Sequence, residues 1–179
     1  MHALGGLFSY WHQDLGVLLR LLVAAILSGA LGWQREYAGK AAGIRTHMLV
    51  GIGAAFFMCI VGMEIETFPH EQGIIRFDPI RILQAVVAGV SFLGAGTIFV
   101  DKSRHHVRGL TTAASIWTTT AVGLSVGLGR YLLATGATGL ILLVLGSVRY
   151  FEPKGDDADS EEFEKKREED RKLPNPGAM

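Results

Sequence analysis

Ile44-Arg-Thr-His-Met-Leu-Val-Gly-Ile-Gly-Ala-Ala-Phe-Phe-Met-Cys-Ile-Val-Gly-Met63 carries a single charge, Arg45, one residue from its start. A helix of about 20 residues rising ~1.5 Å each crosses a ~30 Å hydrocarbon layer. Hydrocarbon offers no partner to an unpaired backbone amide, so a crossing segment must be a helix or part of a closed barrel. The run lacks the two-residue alternation of a barrel strand, which leaves the helix. Outward from it, four further apolar runs occupy residues 15–33, 80–100, 110–128 and 131–148. The expected fold is all-α: a polytopic transmembrane bundle of about five helices.

Composition agrees. Of 179 residues, 49% are hydrophobic and 19% charged, with mean hydropathy +0.31 and 23 glycines, which excludes an ordinary soluble domain. The net charge of zero conceals an asymmetry, because ten of the 17 acidic residues lie beyond Tyr150. Residues 1–150 are therefore expected to form the membrane domain, and residues 151–179 a charged, disordered cytoplasmic tail with too few apolar groups for a core. The basic residues of the body are too dispersed for a nucleic-acid patch. Residues 1–14 hold no Lys or Arg, so the first run reads as a retained helix rather than a secretory signal.

Orientation follows from Lys and Arg near the ends of the runs. Arg35, Lys40 and Arg45 follow the first, Lys102, Arg104 and Arg108 the third, and Arg149 and Lys154 the fifth. The opposite side holds Asp14, Glu64, Glu66, Glu71 and Asp78 with Arg76, Arg81 and Arg130. The N-terminus is expected outside and the C-terminus inside. This needs Gly127-Leu128-Gly129-Arg130 to reverse the chain between the fourth and fifth spans.

Within the spans, small residues mark close helix approach: Ser28/Gly32, Gly51/Gly53/Ala55, Gly89, Gly94/Gly96, Gly123/Gly127 and Gly136/Gly139. Gly94-Ala-Gly96 is also a candidate helix break exposing carbonyls. The fourth span places Thr111, Ser115, Thr118 and Thr119 on one face at 100° per residue, either a polar pathway or a packing face. Gln84, Ala88 and Ser91 make a weaker polar stripe on the third span, expected to face the fourth. Arg20 lies shallow in the first span, within reach of outer headgroups or of a partner inside the bundle. Glu36 with Arg45 and Asp101 with Arg108 close two connections on the cytoplasmic side. An offset of 65 residues aligns Gly29-Ala30 with Gly94-Ala95 and Glu36 with Asp101, suggesting two repeated hairpins. Cys59, the single cysteine, suits buried packing, and His105-His106 without a third ligand do not make a zinc site.

Three ordered motifs carry a resemblance. Gly32-Trp-Gln-Arg-Glu36 with Gly39-Lys-Ala-Ala-Gly-Ile-Arg-Thr46, then Phe92-Leu-Gly-Ala-Gly-Thr-Ile98, then Val107-Arg-Gly-Leu-Thr-Thr-Ala-Ala-Ser-Ile-Trp117 closely resemble the MgtC/SapB family of bacterial membrane proteins. The resemblance covers about residues 15–150 and departs from the family pattern at Val90-Ser91. It implies a multi-pass protein of the bacterial inner membrane, tied to magnesium homeostasis, a candidate transporter, and active in stress adaptation.

Two functions follow as expectations. One is cation homeostasis by transport, with Glu36, Arg45, Thr46, Asp101, Arg108, Thr111 and Thr112 as a cytoplasmic mouth shaped by Gly94 and Gly96. The other is regulation, in which the chain binds another membrane complex. The expected partners are the lipid bilayer, magnesium ion, and a membrane protein or a second copy of the chain, with no nucleic acid. No nucleophile–base spacing, metal triad or phosphate loop is present, so neither an enzyme nor a cofactor is expected, and no metal ligands are assigned.

Overall fold

A computed structural model describes residues 2–67, 79–101 and 106–151. It contains α1 (His2–Tyr37), α2 (Ile44–Thr67), α3 (Pro79–Ala95), β1 (Phe99–Asp101), β2 (His106–Arg108), α4 (Leu110–Gly127) and α5 (Tyr131–Phe151). The five expected helices are present. Residues 1–145 form one compact unit; of the second, residues 146–179, only the end of α5 is described. Glu71, Arg76, Asp78, Lys102, Arg104, His105, Lys154 and the tail lie outside the described residues.

Two helix ends share one chemistry. After α1, Gly39 takes φ 65°, Lys40 N–H donates to the Arg35 carbonyl at 3.0 Å and Gly39 N–H to that of Glu36 at 3.0 Å. After α4, Gly129 takes φ 74°, Arg130 N–H donates to Ser125 at 2.9 Å and Gly129 N–H to Val126 at 2.8 Å. Both are left-handed glycine caps that satisfy the last carbonyls and redirect the chain. Arg20 of α1 reaches the end of α4, while Gln34, farther along α1, donates to the Leu145 carbonyl of α5 at 3.1 Å. So α5 runs alongside α1 and opposite to α4, and the turn at Gly127-Leu128-Gly129-Arg130 reverses fully.

The third span ends earlier than its hydropathy implies. Residues 80–100 read as one apolar run, but α3 stops at Ala95 and Gly96-Thr97 turns the chain into an antiparallel hairpin pairing Phe99 with Arg108, Val100 with Val107 and Asp101 with His106. Gly109, at φ 90°, packs directly against the Thr97 carbonyl, an approach that a β-carbon would block.

The centre is a three-helix core of α1, α2 and α4, held by backbone proximity. A methyl on Gly127 would come within 2.6 Å of both the Ala55 carbonyl and Met58 Cβ; one on Gly123 would strike the Gly51 carbonyl and lie 3.0 Å from Ala54 Cβ. One on Gly32 would come within 2.6 Å of Ile44 Cα, and Ser28 fills the space beside Gly51. Where lipid removes the hydrophobic drive between helices, such close contact is what joins them. Gly94 does not belong to this class, since a methyl there would meet Ala113 at ordinary contact, 3.6 Å and beyond.

Polar side chains share the interior with an apolar core, while the outer surface is strongly apolar. Ser28, Arg35, His47, Thr112, Ser115, Thr119 and Thr120 are buried, while Leu18, Leu22, Ile26, Phe57, Leu133 and Leu140 are exposed. An outer surface this apolar fits lipid rather than water. The segments Gln13–Tyr37 and Ile44–Met63 are long and apolar enough to cross a membrane, and Ile80–Ala95 and Tyr131–Ser147 are shorter apolar helices.

Candidate functional site

The ends of α1 and the starts of α2 and α4 meet at one end of the core. Glu36, exposed in the last turn of α1, accepts the Ile44 N–H through Oε2 at 2.9 Å. Its carboxylate thus caps α2 from outside that helix and meets the positive end of its dipole. Gly43 admits it, since a β-carbon there would lie 2.6 Å from Oε2. Arg45 is exposed and Thr46 half-buried on the next residues of α2.

The second connection is built differently. Asp101 ends β1 opposite His106, and Arg108 ends β2 opposite Phe99, so the acid and the base stand two places apart along the ladder. Glu36 lies within a helix and Asp101 in a strand, six residues past the end of α3. Gly29-Ala30 is mid-helix, whereas Gly94-Ala95 ends one. The two hairpins therefore are not equivalent, and the proposed repeat fails. Gly94 and Gly96 end a helix rather than interrupting one: Gly96 N–H donates to Phe92, and the Thr97 hydroxyl returns to the Gly94 carbonyl at 2.7 Å.

Inside the same end runs a buried polar line. Arg35, 2% exposed, donates from Nη2 to Thr112 Oγ1 at 3.4 Å. Ser115 donates to the Thr112 carbonyl at 2.8 Å, and His47, fully buried, lies with Nε2 3.2 Å from Ser115 Oγ and Nδ1 2.9 Å from the Gly43 carbonyl. A carbonyl only accepts, so Nδ1 carries a proton. The network ties α1, α2 and α4 together. Thr119 and Thr120 continue the line but donate to their own helix, at 2.7 Å to Ser115 and 3.1 Å to Ile116.

Thr111 is exposed, and the buried face of α4 runs through Thr112, Ser115 and Thr119 instead. The rotation is set by Gly123 and Gly127, which must face α2; counting back from them in alternating threes and fours reaches Thr112. Arg35 and His47 were not expected as partners. Both extend small-residue faces already visible in sequence: Arg35 follows Ser28 and Gly32 at seven and three residues, and His47 precedes Gly51 by four.

At the far end of the core, Arg20 donates from Nη1 to the Gly127 carbonyl at 2.9 Å. The guanidinium meets the negative end of α4, so it is partnered within the bundle rather than left to headgroups. Cys59, buried, lies 3.8 Å from the same carbonyl. Among the described residues, no three of His, Cys, Asp and Glu cluster as metal ligands.

A model of the MgtC family matches residues 21–154. The Escherichia coli K12 protein YhiD, named as a candidate magnesium transporter, is 43% identical over 72% of this chain and 58% of its own length. SrpB of Synechococcus elongatus is 38% identical over 75% of this chain and 76% of its own. MgtC of Salmonella typhimurium is 38% identical over 70% of this chain and 49% of its own. The chain thus spans about half the length of MgtC and little more of YhiD. No solved structure matches.

Proposed function

The chain belongs to the MgtC family, and we propose that it serves magnesium homeostasis as a multi-pass protein of the bacterial inner membrane by docking on another membrane complex, without conducting the ion. In this reading residues 1–150 are the membrane domain, the N-terminus lies outside, and residues 151–179 form a cytoplasmic tail. The mouth, comprising Glu36, Arg45, Thr46, Asp101, Arg108, Thr111 and Thr112, faces the cytoplasm.

The supporting observation is an arginine at each end of the core. A divalent ion following the polar line would meet Arg35 at one end and Arg20 at the other. At ~5 Å and an effective dielectric constant of ~20, each meeting costs about 7 kcal/mol. Magnesium sheds water reluctantly and prefers carboxylate oxygen, whereas none of the buried polar residues described is acidic. Between the arginines, Gly123 and Gly127 bring α2 and α4 into backbone contact. The docking surface in this reading is the lipid-facing side of α5, where Gly136 and Gly139 have nothing within 4 Å.

The test is magnesium flux into proteoliposomes, wild type against a folded Glu36→Ala/Asp101→Ala variant. The expected result is no flux above empty vesicles. Flux that the variant loses would overturn this reading and establish transport. Gly136→Leu should abolish support of growth at low magnesium while leaving the protein's abundance unchanged.

A further inference from the structure

The outward faces of α1 and α5 are apolar, as Leu18, Leu22 and Ile26 on one and Leu133, Leu140 and Leu143 on the other illustrate. The outward face of α3 is different. Gln84, Ala85, Ala88 and Ser91 are all exposed, together with Phe92 at 84%. At 100° per residue, Gln84, Ala88, Ser91 and Phe92 fall within about a third of the helix circumference. The expectation that Gln84, Ala88 and Ser91 face α4 therefore fails. The opposite side of α3 does that work: Ile82 and Val86 pack on the cluster of Ala54, Met58, Val61 and Leu124, and Gly94 lies on Ala113.

Ser91 satisfies its hydroxyl on the Val87 carbonyl at 2.8 Å. Gln84 has no hydrogen bond among the described residues, and between Arg81 and Asp101 the sequence holds no charge. A carboxamide facing hydrocarbon with two donors and an acceptor unmet is costly, and an interhelical hydrogen bond relieves it. A carboxamide is also self-complementary, since its donor and acceptor can pair with those of an identical group across a two-fold axis. Copies inserted in one orientation bring α3 beside α3 in parallel, which sets residue 84 against residue 84. Small side chains at Ala85 and Ala88, with nothing within 4 Å of the Gly89 β-position, admit the close approach this needs. Arg81 already holds an interaction of its own near the start of α3 and can direct its charge toward headgroups.

We propose that the outward face of α3 is the contact between two copies of this chain, paired in parallel through reciprocal Gln84 hydrogen bonds, with Ala88 at the point of closest approach. The contact is separate from the α5 surface and from the question of transport.

Because Cys59 is the single cysteine, a Cys59→Ala background allows a clean test. Oxidation of native membranes carrying Ala88→Cys should give a covalent dimer, and Leu140→Cys on α5 should not. Energy transfer between labelled copies in liposomes should show Gln84→Leu weakening association about tenfold. Ala88→Phe should abolish association without changing helicity or thermal stability, because nothing within the chain packs there. Equal cross-linking at residues 88 and 140, a cross-link from residue 88 to a different protein only, or unchanged energy transfer in both variants would overturn the proposal.

Discussion

Glu36 separates a structural from an ion-binding role at a single carboxylate. Its Oε2 occupies the first free amide of α2, so removing it should cost what a lost helix cap costs, about 1 kcal/mol for Glu36→Ala. Glu36→Gln keeps a carbonyl acceptor and should retain most of that stability, with the loss confined to the charge–dipole part. Thermal unfolding in detergent alongside growth at low magnesium reads the two roles apart. Gln supporting growth as well as Glu fits a cap; Gln stable yet inactive would show that the charge itself is used. The sequence placed Glu36 and Arg45 at the two ends of one connection, and the carboxylate there accepts the Ile44 amide. Proximity along the chain was legible there. That a free helix N-terminus in the same turn would compete for the carboxylate became evident only from the backbone.

At the scale of elements, two glycine pairs that look alike in sequence carry different loads. Gly123→Ala would drive a methyl into the Gly51 carbonyl and Ala54, and should cost about 1–3 kcal/mol as α2 and α4 separate. Gly94→Ala meets Ala113 at ordinary distance and should stay within about 0.5 kcal/mol of wild type. Denaturant titration of both variants checks the contrast, and equal losses would mean that α3 packs more tightly than these distances indicate. The five helices were legible because length and hydropathy are local. The hairpin was not: Thr97-Ile98-Phe99-Val100 is as apolar as the helix before it, and what stops α3 includes Gly109 closing on the Thr97 carbonyl, a contact twelve residues away. The polar line was half legible for the same reason. Thr112 and Ser115 stood out as a hydroxyl-rich stretch, whereas their partners Arg35 and His47 lie 77 and 68 residues away along the chain.

At the scale of the whole molecule, the contacts between helices fix relative direction, and the basic residues predict an orientation in the membrane. Arg35 with Thr112 and His47 with Ser115 join one end of the core; Arg20 with Gly127 joins the other. The first end carries Lys40, Arg45 and Arg108 close by, and the second lies beside Arg130 and, along α1, Asp14. Positive charge resists translocation, so the first end should stay in the cytoplasm. In a Cys59→Ala background, Arg45→Cys should then react with a membrane-impermeant maleimide only after spheroplasts are opened, and Asp14→Cys should react in intact ones. Both positions are exposed, so lack of labelling in either case reports the membrane rather than burial. The reverse pattern would invert the molecule and place Glu36 and the hairpin outside. The polar line with its two arginines would remain intact, because the internal contacts are indifferent to which side of the bilayer each end occupies. The two arginines therefore oppose an ion route through the core in either orientation, while the cytoplasmic position of the mouth stands or falls with this measurement.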